Sequence, residues 1–347
     1  MRITSVVATA EIAPSGPDPI RDALQVLDGG GTVRVRVETD DGVIGTSSTG
    51  FGRLRGAVTV LAAMINEELA PVVVGEDPFM VRRVRDRLWA LTDYHGSTGM
   101  ACFAISAIDV ALWDLMGMAL RQPVWRLLGA HRDRVPSYAM VGWLNYDLPK
   151  LASVCTQAME QGFRGVKMKV GAPTLEEDIT RIETVRSAVG DQALILVDAN
   201  QVFSLAEAIR RGRVYEEMDC YWFEEPLRAD DTAGLAELCA TLDIPIASGE
   251  NNFGKRQFRD LFTQGAVDIV QPDLRRAGGA TECLEIGSMA DAFNVPYASH
   301  GGGAHLHLLA AMPNCIFMES GLLPVNSPVA LIDGCYPLPE GPGFSSH

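Results

Sequence analysis

The feature that most constrains this 347-residue chain is a cycle that begins near Val135 and recurs almost to the C-terminal end. A short apolar run is followed by a polar tip, and the tip by an amphipathic stretch. The runs are 135–142, 164–170, 194–200, 221–225, 244–250, 268–273, 295–300 and 315–320. Segments between them, such as 174–189 and 205–215, are long enough for helices and space their apolar residues at the helical period. Strands that alternate with helices pair in parallel, with right-handed crossovers and the helices packed outside the sheet. Doubly wound sheets show the same alternation, so periodicity leaves both architectures open, and the count of eight runs favours a (β/α)8-type barrel. Only a Pro/Gly-rich tail follows the last run, so no regular eighth outer helix is expected.

The chain before Gly129 has a different texture. Residues 32–38 alternate apolar and polar, Asp40-Asp41-Gly42 supplies a turn, and 43–45 begins a second strand, which together signal a hairpin. Three helical patterns follow at roughly 55–70, 78–92 and 99–119. The second opens with Asp77 as N-cap and Pro78 at the first helical position. This part reads as an α+β module.

Composition narrows the function classes. Hydrophobic residues at 47% and charged residues at 21% describe a chain able to bury a large core. The net charge of −15, with no basic cluster, excludes a nucleic-acid-binding face. Seven cysteines, an odd number without a CxxC pair, read as reduced core thiols. The N-terminus has no signal-peptide pattern, and no apolar run of about 18 residues is evident, so a soluble, cytoplasmic protein without a membrane partner is expected.

The polar tips are where chemistry concentrates. Every run after the first ends in an ionisable group: Lys167 and Lys169, Asp198, Glu224, Glu250, Asp273, His300 and Glu319. In a barrel these tips converge at the C-terminal ends of the strands, where active sites lie. Asp198, Glu224 and Glu250 fall on three neighbouring strands, and three converging carboxylates repel one another unless a cation sits among them. An oxygen-only donor set favours Mg2+ over Zn2+. Either Glu224 or Glu225 can face the centre, because successive strand residues alternate sides. Lys167 and Lys169 share a face, so each charge disfavours protonation of the other and pushes one toward a neutral base. Asp273 on the next strand can hold the His300 imidazole in one tautomer. Glu319, across the ring from Glu224, would donate a hydrogen bond if protonated. The sum points to removal of a proton next to a carboxylate, through an enediolate stabilised by Mg2+.

The segments Lys167-Met168-Lys169, Val197-Asp198-Ala199-Asn200, Phe223-Glu224-Glu225-Pro226, Ser248-Gly249-Glu250, Pro272-Asp273, Ser299-His300 and Met318-Glu319 resemble the enolase superfamily, specifically its mandelate racemase subgroup. The resemblance covers nearly the whole chain, since residues 66–71 and 104–115 are similar to the family's capping domain. It implies a (β/α)7β TIM-like barrel with an N-terminal α+β capping domain. Residues 1–128 would form the cap, 129–325 the barrel, and 326–347 a tail returning toward the cap. It further implies Asp198, Glu224 and Glu250 as Mg2+ ligands, Lys169 as a base, and Lys167 as the lysine that touches the substrate carboxylate. His300 with Asp273 would be the second acid/base and Glu319 the hydrogen-bond donor. The reaction it implies is dehydration of an acid sugar to a 2-keto-3-deoxy acid. A racemase or epimerase of a 2-hydroxy acid and a sugar-lactone cycloisomerase are the alternatives. A small carboxylate substrate and a homo-oligomeric state are expected. A metal-dependent hydrolase would need His ligands on the first strand, and 135–142 has none.

Other signals are weaker. Substrate choice is expected from cap loops near 13–31 and 46–55, which carry Ile20, Leu24, Val26, Arg21, Arg53 and Arg55. Gly301-Gly302-Gly303 reads as a tight turn, His305 and His307 as packing or surface residues, and Arg275-Arg276 as a solvated loop. Asn200 is a candidate hydrogen-bonding group near the metal, and His95 has no assigned role.

Overall fold

The computed structural model describes every residue except Pro17, Gly52, Arg53, Ser97, Ser346 and His347, together with the side chain of Phe51. Arg53, named above as a cap-loop candidate, therefore lies outside the described residues. The N-terminal part is built on an antiparallel sheet in the order β1 (Ile3–Ala13), β4 (Gly30–Thr39), β5 (Ile44–Phe51). Alternation along β4 sends Val33, Val35 and Val37 into the core and leaves Arg34 and Arg36 outside. The expected hairpin is β4–β5, with Gly42 at φ 80° in its turn. Sequence reasoning overlooked β1, whose Thr, Ser and Ala positions blur the alternation. It also overlooked the two-residue strands β2 (Ile20–Arg21) and β3 (Val26–Leu27), which pair inside the first cap loop.

The cap helices occupy the expected places. Residues 57–73 form a helix with a π-turn segment at Met64–Leu69. Asp77 accepts the Phe79 N–H at the entry to Pro78–Met80, and Val81–Thr92 continues from there. The helix Met100–Leu120 corrects one expectation: it is long and apolar enough to cross a membrane. Its apolar character instead reflects burial on both sides. Ala104, Ile108, Ala111 and Leu115 pack in the cap core, while Asp109 faces the barrel and accepts from the Thr281 amide and hydroxyl. Gly45 is required where β5 crosses this helix, since a Cβ there would lie 2.2 Å from the Ala111 carbonyl oxygen.

The eight predicted strands are β6 (Arg134–Gly142), β7 (Gly165–Lys169), β8 (Leu194–Asp198), β9 (Trp222–Glu224), β10 (Ile246–Ser248), β11 (Ile269–Val270), β12 (Tyr297–Ser299) and β13 (Cys315–Ser320). Each pairs in parallel with its neighbour in chain order, and β13 closes on β6 through Met318↔Ser137 and Glu319↔Tyr138. Tyr138, Leu196, Trp222, Ala247, Ile269, Ala298 and Phe317 fill the barrel interior. Met168, Val197, Phe223 and Val270 point outward into the layer shared with the helices. Side-chain caps from Asp147, Thr174, Ser204 and Asp231 start the helices that follow β6, β7, β8 and β9. No helix follows β13 among the described residues; instead β14 (Cys335–Pro337) pairs antiparallel with β6. The tail then meets the cap, where Gly343 O accepts from Val124 N and Phe344 N donates to Asp114.

Candidate active site

The pleat of β7 turns Lys167 and Lys169 into the barrel and Met168 out of it. Register then sets Lys169 beside Asp198 and Asp198 beside Glu224. Glu250 follows β10 through Gly249, at φ 142°, where a Cβ would meet the Gln271 backbone at 2.9 Å. Asp198, Glu224 and Glu250 thus each offer a buried carboxylate oxygen, all within 4.8 Å of one another.

Alternation along β9 resolves the Glu224/Glu225 ambiguity. Trp222 and Glu224 face the interior, and Glu224 Oε2 accepts from Trp222 Nε1 at 3.1 Å and Gln271 Nε2 at 3.0 Å. Glu225 leaves the strand in the left-handed region, at φ 40°, and both its oxygens accept from Asn251 Nδ2 at 2.8 Å.

The lysines are paired. Lys167 Nζ bridges Glu224 and Glu319, spanning the barrel mouth, and lies 3.6 Å from Asp198. Lys169 Nζ pairs with Asp198 and sits 5.3 Å over the Trp143 ring. The expectation that one lysine is pushed toward neutrality is not met in this arrangement. Burial is the largest influence and, with the Lys167 charge, would lower the Lys169 pKa, but the Asp198, Glu250 and Glu224 carboxylates together raise it.

At the other wall, His300 Nδ1 lies 2.7 Å from Asp273 Oδ2, and its Nε2 is 3.1 Å from Glu250 and 3.9 Å from Glu319. Burial works against the imidazolium, yet Glu250, Glu319 and Asp273 hold the His300 pKa above its ordinary value. Arg275 grips Asp273 through Nη2 at 2.7 Å and Nε at 3.1 Å. Arg276 donates to Glu250 O and Asn251 Oδ1. Arg275-Arg276 is therefore not a solvated loop: carboxylates and carbonyls at the strand ends draw both guanidiniums inward. Glu319 also differs from expectation. Burial raises its pKa, but Lys167 and His300 bring it down to about 2, so it is an acceptor here, taking the Tyr138 hydroxyl at 3.0 Å and Gly301 N–H at 3.2 Å.

Burial, partly offset by Lys167 and reinforced by Asp198, Glu319 and Glu250, pushes Glu224 up to about 7. That crowding of negative charge, with carboxylate oxygens already gathered, fits a hard divalent cation held by Asp198, Glu224 and Glu250.

Lys169 and His300 line one cavity of about 440 Å³, together with Asn200, Glu250, Trp143 and Arg275. The cap closes it through Gln25, Leu27 and Leu54, so the two cap loops are placed as expected. The particular side chains differ: Ile20, Arg21, Leu24, Val26 and Arg55 are not in its lining, and Arg55 pairs with Asp28 instead. His305 and His307 are buried packing residues, with His307 against the Phe344 ring, and Gly301–Gly303 forms a turn. His95 ends a short helical turn in the cap, stacked edge-on to Tyr94. Sequence reasoning missed Tyr138, Trp143, Gln271 and Asn251. Gln271 alone had a usable signal, two residues before Asp273 and so on the same face.

Comparison with known proteins agrees with this geometry. Residues 4–129 match the mandelate racemase/muconate lactonizing enzyme N-terminal domain, and residues 150–346 match the enolase C-terminal domain-like model. The chain is 35% identical over 319 residues to 3,6-anhydro-alpha-L-galactonate cycloisomerase of Streptomyces coelicolor, covering 90% of this chain and 87% of that one. It is 34% identical over 288 residues to arabinonate dehydratase of Saccharolobus solfataricus, covering 81% and 76%. The crystal structure of L-talarate dehydratase from Polaromonas sp. JS666, complexed with Mg and L-glucarate, superposes with a TM-score of 0.90 at 33% identity and covers 99% of this chain and 94% of that one. Matches to both domains across nearly the whole length make this chain a member of the mandelate racemase/muconate lactonizing enzyme family, and an enzyme of the enolase superfamily.

Proposed function

We propose that this protein is a Mg2+-dependent acid-sugar dehydratase, converting a polyhydroxylated carboxylate to a 2-keto-3-deoxy acid. The observation that carries the reading is the pair Lys169 and His300, set on β7 and just past β12 along one cavity that is also lined by Glu250, one of the three clustered carboxylates. Asn200, Asn251 and Gln25 in the same lining supply hydrogen-bonding partners for substrate hydroxyls. Relatives that dehydrate arabinonate and L-talarate support the same substrate class.

In this reading Asp198, Glu224 and Glu250 hold Mg2+, which when bound supplies positive charge that acidifies the C–H next to the substrate carboxylate. Lys167 neutralises that carboxylate. Lys169 takes the α-proton, once its own proton has gone. The C–O bond to the β-hydroxyl breaks as His300 Nε2 delivers a proton to the departing oxygen, so water leaves and the enol product tautomerises to the keto acid. Asp273 keeps the proton of Nδ1 in place. Glu319 stands at the carboxylate end, where it donates a hydrogen bond only when it has itself taken up a proton. Each acid–base group contributes about 10²–10⁴-fold, so neither suffices alone.

The test is a panel of mono- and diacid sugars incubated with Mg2+, with 2-keto acid scored by semicarbazide. Turnover of a narrow subset is expected. Scrambling at the α-carbon without keto acid would make the protein an epimerase. Opening of a lactone, as the Streptomyces coelicolor relative's name suggests, would make it a cycloisomerase.

We assign residues 1–128 to the cap, 129–325 to the barrel and 326–347 to the returning tail, supported by the Gly343 and Phe344 contacts with the cap. Seven free cysteines support a reducing, cytoplasmic setting. We also assign a homo-oligomeric state, which sedimentation would test.

A further inference from the structure

Three successive residues after β11 are tied to the segment that follows β12. Pro272 O accepts from His300 N at 3.3 Å, and Asp273 Oδ2 meets His300 Nδ1 at 2.7 Å. Leu274 N donates to His305 Nε2 at 2.9 Å. The second bond is the Asp273–His300 pair itself, and the first holds the His300 backbone against the residue before Asp273. The third joins residues that have no place in the reaction, and it is buried, with Leu274 at 6% exposure and His305 at 3%.

The amide of Leu274 is the first of the short helix Leu274–Ala277, whose N-cap is Asp273. A first-turn amide has no partner within its own helix, so in a buried setting it needs an acceptor from elsewhere. His305 supplies one. Accepting at Nε2 requires the unprotonated nitrogen there, which fixes the proton on Nδ1. Burial lowers the His305 pKa to about 4, so the imidazole stays neutral and keeps its acceptor at neutral pH. The contact also ties the loop from both ends. Asp273 is gripped by Arg275 on one side and followed by the anchored Leu274 on the other, while His300 and His305 bracket the Gly301–Gly303 turn. A turn of three glycines has little rigidity of its own.

We propose that His305 is a positioning residue for the Asp273–His300 pair, holding the two loops in register through the Leu274 amide. The proposal rests on the reading of His300 given above. It predicts that loss of the His305–Leu274 bond disturbs proton transfer on the His300 side of the substrate and leaves the Lys169 side alone.

The test uses the full-length, Mg2+-loaded protein in D2O with galactarate and L-talarate, which differ in configuration at one α-carbon. His305→Leu removes the acceptor. Leu274→Pro removes the donor at a helix position that suits proline, and Asp273, at φ −93° and ψ 121°, already has the backbone that precedes one. His305→Gln restores an acceptor. We expect both removals to slow His300-side deuterium exchange by about tenfold, with Lys169-side exchange within about twofold, and the double variant to be no slower than either single one. Gln should recover most of the loss. Because these two acids are probes, the solvent exchange of the His300 Nδ1 proton is followed in parallel by NMR and should quicken in the Leu and Pro variants alone. Equal loss on both sides, no loss on either, or an unchanged Nδ1 proton would overturn the proposal. His300→Asn separates the two readings. If it spares both exchanges, the role of His300 falls and this proposal with it. If it abolishes one exchange that His305→Leu leaves intact, only the positioning role falls.

Discussion

Lys169 and Asp198 face each other directly in the β7–β8 register, and their side chains form an ion pair in the barrel mouth. Asp198 also belongs to the carboxylate cluster suited to a divalent cation. An ammonium and a metal ion thus contend for one carboxylate, and the outcome sets whether Lys169 is held protonated or released to act as a base. Burial and the Lys167 charge both favour its neutral form once Asp198 is engaged elsewhere.

The first prediction follows from that contest. Lys169→Met should tighten Mg2+ binding, by about three- to tenfold, because a cation beside the cluster is gone. Calorimetric titration of metal into the apo-protein measures it. Weaker binding in the variant would mean that Lys169 and the metal do not share Asp198.

Glu250 and Glu225 should differ sharply. Glu250→Gln removes one of three clustered carboxylates and should weaken Mg2+ by more than about 100-fold, with EDTA abolishing turnover in the wild type. Glu225 is held outside the cluster by Asn251, and burial with the adjacent Glu250 pushes its pKa well up. Its carboxyl stands apart from the clustered three, so Glu225→Gln should cost much less metal affinity. Equal losses in the same titration would show that the ligand set is misassigned.

Opposed placement of Lys169 and His300 predicts a division of labour by stereochemistry. Going round the ring, β7 and β12 are three strands apart through β6 and β13 and five through the metal arc, so their groups approach a bound acid from different sides. His300→Asn should retain deuterium exchange with one α-configuration while turnover drops by at least about 100-fold, and Lys169→Met should do the converse. If each single variant loses exchange with every acid that binds, the two groups do not act from opposite sides.

The strand ends were legible in the sequence because each carries a side chain of distinctive chemistry at the close of an apolar run. Asp198, Glu250, Asp273 and His300 needed no long-range information beyond strand order, whereas the choice between Glu224 and Glu225 waited on which of them the pleat of β9 turns inward. What escaped was set by tertiary context. Tyr138 lies inside an apolar run and reveals its hydroxyl only through Glu319 across the closing β13–β6 seam. Arg275 and Arg276 have the composition of a solvated loop, and only the convergence of Asp273, Glu250 and Asn251 draws them in. The protonation states of Glu319 and Lys169 depend on distances between strands far apart in the chain, which spacing does not encode. The Met100–Leu120 helix contains two aspartates, Asp109 and Asp114, that interrupt its apolar pattern, and its partners on both sides become visible only in the fold.

Asp109 on that helix supplies the last prediction, a pH dependence of the cap–barrel seam. Its carboxylate, 2% exposed, accepts from the Thr281 amide at 2.9 Å and the Thr281 hydroxyl at 2.6 Å. Gly279, at φ 90°, comes so close that a Cβ would sit 2.5 Å from the carboxylate. Burial raises the Asp109 pKa from 3.8 to about 6, more than the Thr281 bonds and Arg85 lower it. A carboxyl whose pKa is higher folded than unfolded binds protons more tightly in the native state. Its contribution to stability is therefore complete below about pH 4 and is lost as the pH rises through about 6, amounting to at most about 3 kcal/mol. Asp109→Asn cannot titrate, although it gives up part of the Thr281 pairing at every pH. Urea unfolding of both proteins between pH 4.5 and pH 7.5 should show the wild type losing ground to the variant as pH rises, with most of the change below about pH 6.5. A stability difference that stays constant across that range, or moves the other way, would show that Asp109 is ionised in the folded protein throughout, with the Thr281 bonds and Arg85 outweighing its burial.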